Sequence, residues 1–388
     1  MMVVPLVAIL ILDARPYQMA ILGGATTTAG LLFGLFAGPW IDRSKRRTVL
    51  VITDFGSAAA LASVAIAHFA FELHIEHLYA VAFINGSLGI FNEIAQRSYL
   101  PSLIEKHRLL EANSKMAASD SIVAQIGFSV GGFIAQLASP IAASVVQTIT
   151  FLASGILVLA IRKPESKPET PDERPNIRRE ILDGYRFILG NPTLKLLTIS
   201  GVLLGAANGI IGGMITLFAI SEVGIQPGPL GIIYGIGGVS SFFGAIYAAR
   251  VTKKLGVGPT MALGLFSYGF VGFLIPLAPT HIWLAMAFFV LPQIFGDGFW
   301  IMHDINKTSL QQVLIPENYL GRVIGAMKVS EKVAALIGFS IAGVVAEILG
   351  LRIALAAGSV IWLTAGAVFL HPTIWAIKTM PTSKTNSE

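Results

Sequence analysis

The sequence predicts an all-α protein embedded in a membrane, and three features carry that prediction. Hydrophobic residues make up 54% of the 388-residue chain and charged residues only 13%, against roughly 25% charged in a soluble domain. Such a chain lacks the polar surface to cover itself in water. Its apolar residues fall into runs close to the roughly 20 residues needed to cross a bilayer. Lys and Arg, finally, sort between alternate connections.

Runs long enough to span occupy 18–40, 48–71, 78–97, 114–138, 140–161, 193–220, 228–250, 258–278, 281–303, 323–349 and 351–372, eleven full spans. The stretch 2–12 is too short for a twelfth. With no basic residue before it and no small-residue cleavage site after it, it reads as the second half of a first helix rather than a signal peptide. Counting that partial helix as span 1, the connections after spans 2, 4, 6, 8 and 10, the adjoining helix ends and the C-terminal tail hold nearly all 27 basic residues. The two exceptions are Arg15 and Arg352. Basic segments stay cytoplasmic during insertion, so both termini are expected in the cytoplasm. The net charge of +5 follows from this sorting, and no nucleic-acid face is implied. The absence of Cys excludes a disulfide scaffold, a thiolate metal site and a cysteine nucleophile. The 40 Gly suit helices whose backbones approach closely in lipid.

Residues 162–192 interleave Pro164, Pro168, Pro171 and Pro175 with charges, a solvated linker followed by a short amphipathic helix at 177–189. The expected organisation is an N-terminal bundle at 1–161, a cytoplasmic linker at 162–192, a C-terminal bundle at 193–375 and a cytoplasmic tail at 376–388. The two bundles look duplicated. Sliding one onto the other so that Met116 meets Met327 also pairs Ser119 with Ser330, Gly127-Phe128-Ser129 with Gly338-Phe339-Ser340, and Gly132 with Gly343. The same shift pairs Asp120 with Glu331 and Glu93 with Asp304. Parallel duplication of six-helix halves is one of the repeat designs of transporters.

After span 2 the chain reads Gly38, Asp42, Arg43, Arg46, Arg47 and Leu50 at the spacing of a known signature. The segment resembles that of the major facilitator superfamily, in which a Gly four residues before an Asp-Arg pair is followed by a basic pair. Lys45 stands where many members have a second glycine. In span 5, Gly127, Gly131 and Gly132 are similar to the fifth-helix exporter motif, with Phe128 in place of its proline. Residues 97–104 and 109–113 look like the link between spans 4 and 5 in the macrolide-efflux and enterobactin-exporter-like branch. The resemblance implies a twelve-helix fold of two bundles, helix 1 shortened at its N-terminus. It further implies a monomer in a bacterial inner membrane, exporting small amphipathic molecules of drug or siderophore type by proton-coupled alternating access. Gly38, Asp42, Arg43, Arg46 and Arg47 would form a cytoplasmic latch, the alternative being that the arginines only set topology.

Ionisable and polar groups at membrane depth are costly and are functional candidates by default. Gln293, Asp297, Trp300 and Asp304 recur at one-face helical spacing in span 10, and Asn85, Gly89, Asn92 and Gln96 form a similar stripe in span 4, with Glu93 beside it. The resemblance aims both stripes at a central cavity, where Asn85, Asn92, Asn208, Gln293, Asp297 and Trp300 would meet substrate. Asp297, furthest from a water boundary, is the candidate proton carrier, or else a structural acid satisfied by neighbouring helices. Glu93, Arg97, Asp120, Asp304 and Glu331 are read as gate and latch charges near helix ends. Asp54 is read as an end-of-helix group at the start of span 3. His74 and His77 are read as parts of a solvated loop.

No phosphate loop, metalloprotease pair or serine elbow occurs. The glycines at 231–244 lie inside an apolar span, so they are no dinucleotide fingerprint. No enzyme activity, cofactor or metal is expected. The rival readings are a nutrient importer of the same fold and a non-transporting receptor or scaffold.

Overall fold

The computed structural model describes residues 2–104, 109–162 and 177–380, helical almost throughout and without a strand among them. In chain order the helices are α1 (Val3–Ile11), α2 (Pro16–Asp42), α3 (Arg46–Ala70), α4 (Ile75–Leu103), α5 (Leu109–Leu137) and α6 (Pro140–Ala160). They continue with α7 (Ile177–Gly190), α8 (Pro192–Leu217), α9 (Pro227–Leu255), α10 (Val257–Gly272), α11 (Ile282–Leu291), α12 (Asp297–Leu314), α13 (Glu317–Leu349), α14 (Leu351–Ala367) and α15 (Pro372–Trp375). Among the described residues, eight helices are long and apolar enough to cross a membrane.

The ends of these helices have identifiable causes. Pro16, Pro140 and Pro192 open α2, α6 and α8, where a missing N–H removes no helical bond. Ser139 and Asn191 cap α6 and α8 through their side-chain oxygens. Gly256 (φ 97°) and Gly350 (φ 90°) turn the chain between α9 and α10 and between α13 and α14. A side chain there would be strained.

The chain divides into two compact units, Met1–Pro175 with Gln226–Ile232, and Asn176–Ile225 with Ile233–Glu388. In the first, α2 packs on α4, and α3 lies between α4 and α6. In the second, α8 packs on α13 and α14, while α10 packs on α12 and α14. The α8–α13 contact is close. A Cβ at Gly205 would collide with the Glu331 carbonyl, at Gly209 with that of Ala335, and at Gly338 with that of Ala206. Small residues let the two backbones meet. The amphipathic α7 joins the second unit: Tyr185 Oη is 2.7 Å from Ser330 Oγ, and Phe187 stacks on Tyr319 with centroids 5.3 Å apart.

Several boundaries differ from expectation. Span 9 stops being helical at Gly272 and continues in turns, and span 10 runs on to Leu314. Asp304 and Glu93 therefore lie ten residues inside their helices, not near the ends. Asp54 lies about two turns inside α3 and is 4% exposed, so it is a core group. The apolar runs alone mislead here because a helix continues past the lipid boundary wherever polar residues still favour it.

Within the helix Ile282–Leu314, Pro292 to Gly296 form a π-turn. Proline has no N–H to give to the preceding turn and crowds its carbonyl, and kinks or bulges at such positions are the usual result. A second π-turn, Phe218–Glu222, ends α8.

Candidate transport site

The second unit holds a half-open cavity of about 400 Å³. Asn208, Ile211 and Ile215 from α8, Tyr234 from α9, Tyr268 from α10 and Trp362 from α14 line it, together with Gln293 and Asp297 at the π-turn. Asn208 Oδ1 accepts a hydrogen bond from Trp362 Nε1 at 3.0 Å. Tyr268 packs on Trp362 with ring centroids 4.5 Å apart. Asp297 is the one charged side chain among the described lining residues. A carboxyl group facing three aromatic rings and two amides suits a cationic or neutral ligand with a flat apolar part, and opposes an anion.

The π-turn and a glycine on α9 aim the polar groups. A Cβ on Gly237 would overlap Asp297 Oδ2 and come within 2.5 Å of Gln293 Oε1. Both side chains therefore rest directly on the α9 backbone. One turn further, Ser240 bonds to the backbone of the same segment.

Of the residues expected to meet substrate, Asn208, Gln293 and Asp297 come together here. Trp300 does not line the cavity. It stands one ring back, against Tyr268 at 5.2 Å and His303 at 5.9 Å, because α10 places Tyr268 in front of it. Asn92 is committed elsewhere: its amide donates to Thr53 Oγ1 at 2.8 Å and Asp54 Oδ1 at 2.9 Å, and Ser154 donates to Asp54 Oδ2 at 2.7 Å. This buried cluster ties α3, α4 and α6 together in the first unit. Asn85 donates to Val81 of its own helix at 3.1 Å.

The expected latch and gate charges divide in the same way. Arg47 donates from Nε to the Val158 carbonyl at 3.2 Å and from its guanidinium end to that of Leu159. These are among the last carbonyls of α6; that of Val158 also accepts from the Ile161 N–H at 3.2 Å, and Arg47 adds charge-assisted bonds that cap the helix end. Arg43 is exposed at the C-terminal end of α2, and Arg46 is half-buried. Glu93 and Arg97 pair at 2.8 Å in the open. Glu331 bonds Lys307 at 3.1 Å and lies against Gly201 of α8. Asp304 is half-buried on α12. Gly38 and the side chains of Asp42 and Asp120 lie outside what the structure describes. In the exporter-like motif, among the described residues, Gly127 and Gly131 face no close neighbour, and Gly132 makes a close approach to the Pro227 carbonyl within the first unit. His77 bonds Ser63 across 2.9 Å.

Gly237, Ser240, Tyr234, Tyr268 and Trp362 were not singled out by the sequence. The signal for the first two was the spacing of Gly237, Ser240 and Gly244 on one α9 face opposite Pro292.

Arg352, one of two exceptions to the charge sorting, is a clasp at the far end of α8. It bonds Glu222 at 2.8 Å and the carbonyls of Pro276 and Ala278 at 2.9 and 2.7 Å, and lies over the Phe218 ring at 5.1 Å.

Long apolar helices packed around a polar, aromatic-walled hollow define a helical membrane transport protein. A family model described as Major Facilitator Superfamily matches residues 1–339. The chain belongs to that superfamily, whose members are transporters. It is 24% identical over 357 residues to the uncharacterized MFS-type transporter YfiS of Bacillus subtilis, covering 88% of this chain and 81% of that one. It is 25% identical over 367 residues to the multidrug efflux pump Tap of Mycolicibacterium fortuitum, covering 90% and 86%. Among solved structures, a point mutant of the nucleoside transporter NupG superposes with a TM-score of 0.72 at 14% identity over 94% of this chain and 92% of that one. A bacterial homologue of the iron transporter ferroportin, inward-facing, gives 0.70 at 17% identity over 96% and 94%. These two likenesses establish the fold, which is that of the major facilitators.

Proposed function

We propose that the protein is a proton-coupled exporter of small amphipathic molecules in a bacterial inner membrane, with both termini cytoplasmic. The observation that carries this reading is the cavity with Asp297 on one side and Trp362, Tyr268 and Tyr234 around it. The single carboxyl and the lack of a basic group among the described lining residues favour a drug-like cation over an anionic siderophore complex. The similarity to Tap supports efflux and a place in the drug-exporting branch. Asp297 carries the proton: ligand and proton compete for one acidic group, and each binds one conformation better than the other, as any driven shift requires. Gln293 and Asn208 orient the ligand, and Gly38, Asp42, Arg43 and Arg46 supply the cytoplasmic latch.

The test uses inverted vesicles with ethidium as the probe cation. A pH gradient, acid inside, should drive ethidium into the vesicles. D297N should abolish this proton-linked transport while leaving insertion intact. Unchanged transport by D297N at several pH values would remove Asp297 from the mechanism, and uptake only under the reversed gradient would point to the importer.

A further inference from the structure

An uninterrupted α-helix would join the Gly298 N–H to the Ile294 carbonyl. Here the Ser240 hydroxyl of α9 stands in that gap. It accepts from the Gly298 N–H at 3.0 Å and donates its own proton to the Ile294 carbonyl. A hydroxyl that inserts into the helical ladder satisfies both groups while keeping them apart, a recognised cause of helix distortion. In lipid no water can take over either role. The two residues Ser240 holds are the immediate neighbours of the two that face the cavity: Ile294 follows Gln293, and Gly298 follows Asp297. One turn to either side of Ser240, on the face that meets this segment, α9 presents glycines. Gly237 lies against Asp297 and Gln293, and a Cβ on Gly244 would meet the Gly298 carbonyl.

We infer that Ser240 is a positioning residue, whose hydroxyl holds the π-turn open and so sets the direction of Asp297 and Gln293. Without the hydroxyl, Gly298 and Ile294 either remain unpaired or bond to each other. The second outcome converts the π-turn toward α-helix. A shift of one residue in register rotates one side of the junction by about 100° relative to the other, enough to take the carboxyl off the cavity wall. Pro292 has no N–H to give to the carbonyl of Phe288 one turn back, so the ladder is interrupted by the proline on one side of the turn and by the serine on the other.

This inference rests on the assignment of Asp297 to the transport site, but its geometry is testable without any substrate. The full chain in proteoliposomes is treated with dicyclohexylcarbodiimide, and labelling of Asp297 is followed by peptide mass spectrometry. S240A should change the labelling rate by roughly tenfold or more, the scale of one hydrogen-bonding group left unmade. S240T, which keeps the hydroxyl, should stay within about twofold of the parent. Ethidium transport in the same vesicles should show the change of S240A in half-saturation, restored in S240T. Parental labelling in S240A would overturn the inference, as would S240T deviating as far as S240A, since bulk rather than the hydroxyl would then matter. Should S240A fail to reconstitute, S240C takes its place: its weaker donor should shift labelling in the same direction by less, and parental labelling would again overturn it. Normal transport by D297N would remove the transport reading while leaving the labelling comparison decisive for Ser240.

Discussion

Adding one methyl group at Gly237 should impair the protein out of proportion to its size. The built Cβ of G237A overlaps Asp297 Oδ2 and sits within 2.5 Å of Gln293 Oε1, so either the two side chains or α9 must give way. Overpacking of this kind costs about 1 to 3 kcal/mol. If the side chains yield, that strain separates them from the geometry that meets ligand. At about 1.4 kcal/mol per tenfold, the half-saturation concentration for ethidium should rise by about fivefold to about 150-fold. G212A is the control: Gly212 lines the same cavity, but a Cβ there meets nothing within 4 Å, and its effect should stay within about 0.5 kcal/mol. The assay is initial ethidium transport against concentration in proteoliposomes of matched protein content. Indistinguishable curves for G237A and G212A would refute the reasoning, because Asp297 and Gln293 would then not depend on contact with α9.

Two further outcomes follow from the first unit. R47A should lower the thermal midpoint of the detergent-solubilised protein by the equivalent of about 1 to 2 kcal/mol, since charge-assisted bonds to the end of α6 are lost at a partly exposed site. Its transport per folded molecule should be retained, and a lost rate with an unchanged midpoint would return Arg47 to the latch. N92L should destabilise by about 1 to 3 kcal/mol, because Asp54 loses one of its donors in a buried cluster. The same thermal assay checks this, and an unchanged midpoint would show that Ser154 alone suffices.

The sequence was most informative where the physics is local. Apolar run length placed the helices, and Pro192 and Asn191 marked the start of α8. Asp297 stood out because a carboxyl in a long apolar run has few innocent reasons to be there. The information failed where a side chain's meaning depends on what approaches it from another helix. The Asn85–Gln96 stripe gives a face of α4 but not the fact that α3 brings Asp54 to Asn92. Trp300 shares a face with Asp297, yet Tyr268 from α10 intervenes. Gly237 and Ser240 carried no charge or bulk to draw attention; their roles exist only because the π-turn presses against them. The duplication is similarly uneven: Gly338 meets the Ala206 carbonyl, whereas its counterpart Gly127 meets nothing within 4 Å among the described residues.

Arg352 has a mechanical consequence. By fastening Glu222, Pro276 and Ala278 at once, it makes the end of α8, the connection between α10 and α11, and the start of α14 a single plate. Any rearrangement of the second unit that keeps the clasp can tilt that plate but cannot fan its helices apart. The next break in regular helix beyond that plate is the π-turn at Pro292, directly before Asp297.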